Sequence, residues 1–190
     1  MGSRLFSAVL PPPEVVDEID GFLAPRRGSD DRLRWAPPIG WHLTTSFMAS
    51  VEASHIDDLS ARLTDAAART RPFRVRVAGT RCFPGVWRAR VLALDVAAGG
   101  AELGALARRC RNAANRAGVA VDGAPFTGHL TLARARRPIE ATKWLRVLDS
   151  FPGTEWLASE VVLVESHLSD PGRRYEVVSR YPFLGDGTGS

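Results

Sequence analysis

Two hydrophobic spacings alternate along this chain. Residues 4–10, 33–36, 41–48, 73–80, 87–96, 126–134, 156–168 and 175–183 are short runs of apolar or alternating residues bounded by Gly, Pro and polar clusters, and they predict strands. Phe73, Val75 and Val77 set against Arg74, Arg76 and Ala78 show the two-residue period most clearly. Between these runs, Val15, Val16, Ile19, Phe22 and Leu23 follow Pro13 at helical spacing and predict a helix over 13–24. Ile56, Leu59, Leu63 and Ala67 predict a second over 54–69, with Ser54 as its N-cap. Residues 101–117, rich in Ala, Leu and Arg after Gly99-Gly100, and 138–149, ended near Pro152-Gly153, predict two more. Asp170-Pro171-Gly172 predicts a turn between the last two strands.

Written coarsely, strand, helix, strand, helix, strand is followed by strand, helix, strand, helix, strand, strand. The chain reads as an imperfect duplication, and a pseudo-twofold arrangement would bring the second strand of each repeat to a shared cleft. Residues 1–184 are expected to form one two-lobed domain with interleaved lobes, and 185–190 a frayed tail.

Those two strands carry the chemistry. His42-Leu43-Thr44-Thr45 lies in one and His129-Leu130-Thr131-Leu132 in the other. A strand turns His and Thr two residues apart to the same face and the intervening Leu to the opposite one. Side by side, two such strands gather two imidazoles and two hydroxyls. One imidazole can act as base and the other as acid, while the hydroxyls donate to an oxyanion. Phosphodiester cleavage without a metal needs that set of groups. His55, at a helix start, and His167, at a strand end, lack the pattern and read as capping or solvent residues.

Phe47 and Arg134 each stand five residues beyond a histidine of the pattern, suited to stacking on a base and pairing with a phosphate. Strict alternation puts both on the face opposite the histidines, so either one needs a bulge or a strand end to reach the cleft. Arg74 and Arg76, Arg88 and Arg90, and Arg134, Arg136 and Arg137 are spaced to line strand faces or rims.

Composition narrows the partners. The net charge of +4 and pI near 9.8 come almost entirely from arginine, Lys143 being the only lysine, and permit a polyanionic partner. Cys82 and Cys110 are too few for a disulfide framework and lack metal-ligand spacing, which suits a reducing cytoplasm. No His-x-x-x-His or phosphate-cradling glycine loop is present, so neither a metal nor another cofactor is expected. The apolar run 5–10 is too short for a signal-peptide core, and nothing is long enough to span a bilayer.

At these residues the chain resembles the two-histidine phosphoesterases, and within them the RNA 2′,3′-cyclic phosphodiesterases first described as bacterial 2′-5′ RNA ligases. Arg4-Leu5-Phe6, Leu10-Pro11, Arg34-Trp35, the two His-x-Thr patterns, Phe126, Arg134, Ser166-His167-Leu168, Gly172 and Tyr175 carry the resemblance over nearly the whole chain. It implies a bilobal α+β fold with two antiparallel sheets facing a central cleft and helices outside. It also implies metal-independent opening of a terminal 2′,3′-cyclic phosphate of RNA to a 2′-phosphate; separately, a monomer is expected. His42 would be the acid and His129 the base, Thr44 and Thr131 the hydroxyl donors, and 2′-5′ ligation the reverse reaction. Thr45-Ser46, Met48-Ala49 and Gly128 depart from the common pattern, where an apolar-Ala pair, Leu-Gly and Pro are usual. A small cyclic nucleotide phosphate as substrate, or an RNA-binding module without turnover, are the alternatives.

Overall fold

Each predicted strand and helix has a counterpart in the computed structural model, which describes residues 2–167 and 175–185. In chain order these are β1 (Ser3–Val9), α1 (Pro13–Leu23), β2 (Leu33–Trp35), β3 (Leu43–Val51), α2 (Ala53–Ala68), β4 (Phe73–Phe83) and β5 (Ala89–Ala98). Then follow α3 (Gly100–Arg116), β6 (His129–Ile139), α4 (Thr142–Asp149), β7 (Thr154–Ala158), β8 (Glu160–Ser166) and β9 (Tyr175–Pro182). The fold is α+β, as expected. Among the described residues the strands run antiparallel in the order β7-β4-β5-β6-β3-β1-β8-β9, with β2 also paired to β6.

The expected pair of sheets appears as two halves, β7-β4-β5-β6 and β3-β1-β8-β9, which touch through a single register pair, Leu43 with Leu130. One residue, Ser159, separates β7 from β8, although they belong to opposite halves. The sheet therefore has to curl until its ends approach. Phe73 of β4 stacks on Phe183 just beyond β9 with ring centroids 6.0 Å apart, and Phe183 N donates to Ser159 O at 2.8 Å.

Burial follows from this curl. The main core lies between the sheet and the four helices, where Leu5, Val9, Ile19, Leu63, Leu106, Leu130 and Trp144 are almost fully enclosed. The opposite face of β1 and β8 holds a smaller cluster of Phe6, Ala8, Val162 and Val164. Both strands are central and thus covered on both faces, which is why Leu5 to Val9 and Val161 to Val164 are buried without a break, Ser7 being the one polar residue among them.

Several boundaries differ from expectation. The run over 156–168 is two strands, because the chain leaves one half of the sheet at Ala158 and enters the other at Glu160. The second motif strand starts at His129 and continues to Ile139, so Pro138 is strand and α4 begins only at Thr142. β3 starts at Leu43, leaving His42 in the last residue before it. Glu52, not Ser54, occupies the N-cap of α2, and it makes no side-chain capping bond. Gly99 at the start of α3 has φ +78°, and a Cβ there would lie 2.3 Å from Arg74 O, so only glycine fits. Gly185 N is tied to Thr70 O at 3.0 Å, while the rest of the predicted tail and the turn at 170–172 lie outside the described residues.

Candidate active site

Where β3 and β6 meet, Leu43 and Leu130 point into the core and are fully buried, so the residues flanking them face the other way. His42, Thr44, His129 and Thr131 accordingly line one cavity of about 660 Å³. The four groups of the doubled pattern are thus brought together.

The two motif strands share a further device. In β3, Ser7 pairs with Ser46 but Ala8 with Thr44, so Thr45 is an extra, unpaired residue. In β6, Leu92 pairs with Ala133 but Ala93 with Thr131, so Leu132 is extra. Each bulge falls three residues after its histidine, and each inverts the phase of the strand beyond it. Arg134 is thereby turned to the side of His129 and Thr131, where it lines the cavity. Phe47 is turned in the same way but lies outside the cavity lining. It packs beside the Phe6 cluster, with the Arg4 guanidinium 4.3 Å from its ring centroid. The Thr45-Ser46 departure has a local reason: Ser7 Oγ shares hydrogen bonds with Thr45 Oγ1 at 2.6 Å and Ser46 Oγ at 2.7 Å, so the buried hydroxyls satisfy one another.

Each imidazole is held by its own Nδ1–H. His42 donates to Gly40 O at 2.7 Å and His129 to Thr127 O at 2.8 Å, a carbonyl two residues upstream in both cases. A carbonyl only accepts, so the proton sits on Nδ1 and the neutral ring keeps a free lone pair on Nε2. A phenylalanine packs on each ring, Phe6 on His42 at 4.6 Å and Phe83 on His129 at 4.7 Å between centroids.

Their surroundings otherwise differ. Tyr175 stands edge-on to His42 at 5.4 Å, and burial pushes this imidazole down to about 4. The Gly40 carbonyl opposes that shift, while positive charge on His129 and on Arg134 adds to it. Burial also holds His129 below the ordinary histidine value, opposed by the Thr127 carbonyl. Arg134 and Arg81 lower it further and Asp95, its register partner on β5, raises it. Asp95 is itself held by Arg81, 2.7 Å away. Both imidazoles are therefore neutral near pH 7 in the free protein.

Sequence reasoning passed over Arg34, Trp35, Arg136, His167 and Tyr175 as site residues, yet all line the cavity. His167 lies at the end of β8, with Nε2 buried and 3.6 Å from the Glu176 carboxylate, too far for a hydrogen bond. Its membership of Ser166-His167-Leu168 in the resemblance was the available signal. Among the described residues, no three His, Cys, Asp or Glu side chains are grouped as a metal site requires, and no helix is long and apolar enough to cross a membrane.

The arrangement offers two Nε2 atoms for proton transfer, two hydroxyls and at least one guanidinium around a volume suited to one nucleotide. Known proteins agree with it. The family model described as the 2′-5′ RNA ligase superfamily matches residues 11–170. The RNA 2′,3′-cyclic phosphodiesterase of Thermus thermophilus is 31% identical, over 96% of this chain and 91% of that protein. The crystal structure of E. coli LigT in apo form superposes with a TM-score of 0.76 at 26% identity, covering 96% of this chain and 98% of that one. Its complex with 3′-AMP gives 0.75 at 26% identity, covering 96% and 99%.

Proposed function

The chain belongs to the 2′-5′ RNA ligase superfamily, and from that premise we propose that it is an RNA 2′,3′-cyclic 3′-phosphodiesterase, opening terminal cyclic phosphates to 2′-phosphates without a metal. The observation that carries this reading is the convergence of two equivalently held histidines and their threonines on one cavity.

In this reaction His129 Nε2 removes a proton from water as the water oxygen attacks phosphorus. The bond from phosphorus to O3′ breaks, and His42 Nε2–H protonates the departing O3′. Thr44 and Thr131 donate hydrogen bonds to the non-bridging oxygens, and Arg134 balances their charge. A 5′-hydroxyl in place of water gives the reverse joining, a 2′-5′ ligation. Burial disfavours a charged His42 in the free protein, so the anionic phosphate itself raises that imidazole and brings its proton in. A ring whose charged form is disfavoured is a strong acid once protonated.

Residues 1–184 act in this reading as one two-lobed unit, a monomer in the cytoplasm, where Cys82 and Cys110 remain the free thiols they are here. The cavity volume also suits a free cyclic mononucleotide, which makes a small cyclic nucleotide phosphate the second reading.

The test is incubation of EDTA-treated protein with a short RNA ending in a 2′,3′-cyclic phosphate, resolving 2′- from 3′-phosphate products. A 2′-phosphate product is expected. RNA binding without hydrolysis would leave a binding module and overturn the enzyme.

A further inference from the structure

Arg34 and Arg136 line two spaces at once. One is the histidine cavity. The other is an open groove of about 560 Å³ that continues along the β2–β6 ribbon past Arg32, Arg137 and Ile139. The groove is not needed for the chemistry proposed above, and its charge is unbalanced.

β2 and β6 pair with Arg34 directly opposite Arg134. Like charges across a ladder repel, so this placement costs stability unless an anion lies between them. Among the described residues, Arg34, Arg134, Arg136 and Arg137 have no ion-pair partner to offset this repulsion. Arg32 is held by the buried Asp30 carboxylate, and Asp31 is the one acidic residue lining the groove. Three unpaired guanidiniums, Arg34, Arg136 and Arg137, therefore share the groove with a single carboxylate, and Arg134 stands on its cavity side.

Two of them keep the two-residue step of the strand. Arg134 and Arg136 are both exposed and two residues apart on one strand, so they project to one side about 6.6 Å from each other. That step is close to the separation of neighbouring phosphates in a single strand. At the far end of β6, the turn Val86–Arg88 is tied by Ala141 N to Val86 O at 2.9 Å, and Trp87 in that turn is 74% exposed. Guanidiniums that follow a backbone and an exposed ring that accepts a base are the two components of single-strand binding.

We propose that the β2–β6 ribbon is a track for the sugar-phosphate backbone of single-stranded RNA on the 5′ side of the terminal nucleotide. A 2′,3′-cyclic phosphate exists only at a 3′ end, so the rest of such a strand leaves the cavity in one direction, and this groove opens from the cavity between Arg34 and Arg136. The inference rests on the phosphodiesterase reading and deepens it: the substrate class is an oligonucleotide, not a free cyclic mononucleotide.

The experiment compares kcat/KM for a nucleoside 2′,3′-cyclic phosphate with that for an RNA hexanucleotide carrying the same terminus, in the natural protein and in Arg137→Glu and Trp87→Ala. The natural protein is expected to prefer the hexanucleotide about tenfold or more, through KM. Arg137→Glu should reduce the preference several-fold and Trp87→Ala to a smaller extent. Both positions are exposed, and unchanged melting temperatures confirm folding. Binding of a hexanucleotide ending in a 2′-phosphate supplies a readout free of turnover. The slope of log K against log salt should fall by roughly 0.7 for each phosphate that the Arg137→Glu protein no longer neutralises.

Turnover of the nucleoside with no preference for the hexanucleotide overturns the track and leaves the enzyme reading standing. A preference that survives in both variants overturns this placement of the track. If neither substrate is turned over, the enzyme reading fails, and the track then stands or falls on whether hexanucleotide binding and its salt slope drop in Arg137→Glu.

Discussion

The strand leading from His42 and the strand leading from His129 are built alike and surrounded differently. Both have a leucine in the core, a bulge three residues after the histidine, an Nδ1–H tied to a carbonyl two residues back and a phenylalanine on the ring. Around His42 the neighbours are Phe6 and Tyr175, and burial dominates. Around His129 stand Arg81 and Asp95, so that charge of both signs acts on the ring beside its burial. Backbone and tautomer are therefore set by the repeated pattern, while the proton affinity of each ring is set by what the rest of the fold packs against it. Acid and base can be distinguished on a nearly symmetric frame only through those neighbours.

Removing either ring breaks the comparison outright. His42→Ala and His129→Ala should each lower kcat on a cyclic-phosphate RNA by about 10²–10⁴, read by product formation under saturating substrate. Thr44→Val and Thr131→Val remove one hydroxyl donor each and keep the volume. About a hundredfold loss in kcat is expected for each.

The pH dependence sharpens the contrast. The productive form carries a protonated His42 and a neutral His129, the less favoured placement of a single proton in the free protein, and both rings are lowered below ~6.5 there. At pH 7 the free protein is thus short of one proton, so kcat/KM should rise as pH falls through the upper of the two values and drop again toward about 4, where His42 also protonates. A bound phosphate raises both rings, so the profile of kcat should lie at higher pH than that of kcat/KM. Arg134→Gln removes a charge that lowers both rings and should move both limbs upward, whereas Asp95→Asn should lower His129 alone. Paired pH-rate profiles of these two variants check the assignment.

The smallest effect concerns Gly128, beside the second histidine. A Cβ there would lie 3.1 Å from both Leu103 Cδ2 and Val96 Cγ2, so Gly128→Ala should cost about 1 kcal/mol by denaturant unfolding, through crowding at an otherwise well-packed contact.

How much of this was legible in the sequence depended on the range of the interaction that decides it. The His-x-Thr strands were visible because a two-residue period is local, and burial of Leu43 and Leu130 follows directly from it. The bulges at Thr45 and Leu132 were not, since a bulge is defined by the partner strand and only the register with β1 or β5 reveals it. Arg134 reached the cavity for that reason, whereas Phe47, turned the same way, packs beside the Phe6 cluster under Arg4 and does not line it. The break at Ser159 was hidden by continuous strand character on both sides. Its only trace was the change from alternating burial in β7 to the fully buried run of β8, which marks passage from an edge to a central strand. His167 and Tyr175 reach the cavity through the pairing of β8 with β9, a long-range contact that their own neighbours in sequence do not announce.

The central claim is that two identically held imidazoles differ in proton affinity because of their surroundings and are brought into play by the substrate's charge. Titration of the imidazole C–H signals by NMR, with and without a saturating nucleoside 2′-phosphate, tests it most directly. Both rings should titrate below ~6.5 in the free protein, His42 lower than His129, and both should rise on binding. Either ring titrating at or above ~6.5 in the free protein, or no rise when the phosphate is bound, would contradict the account.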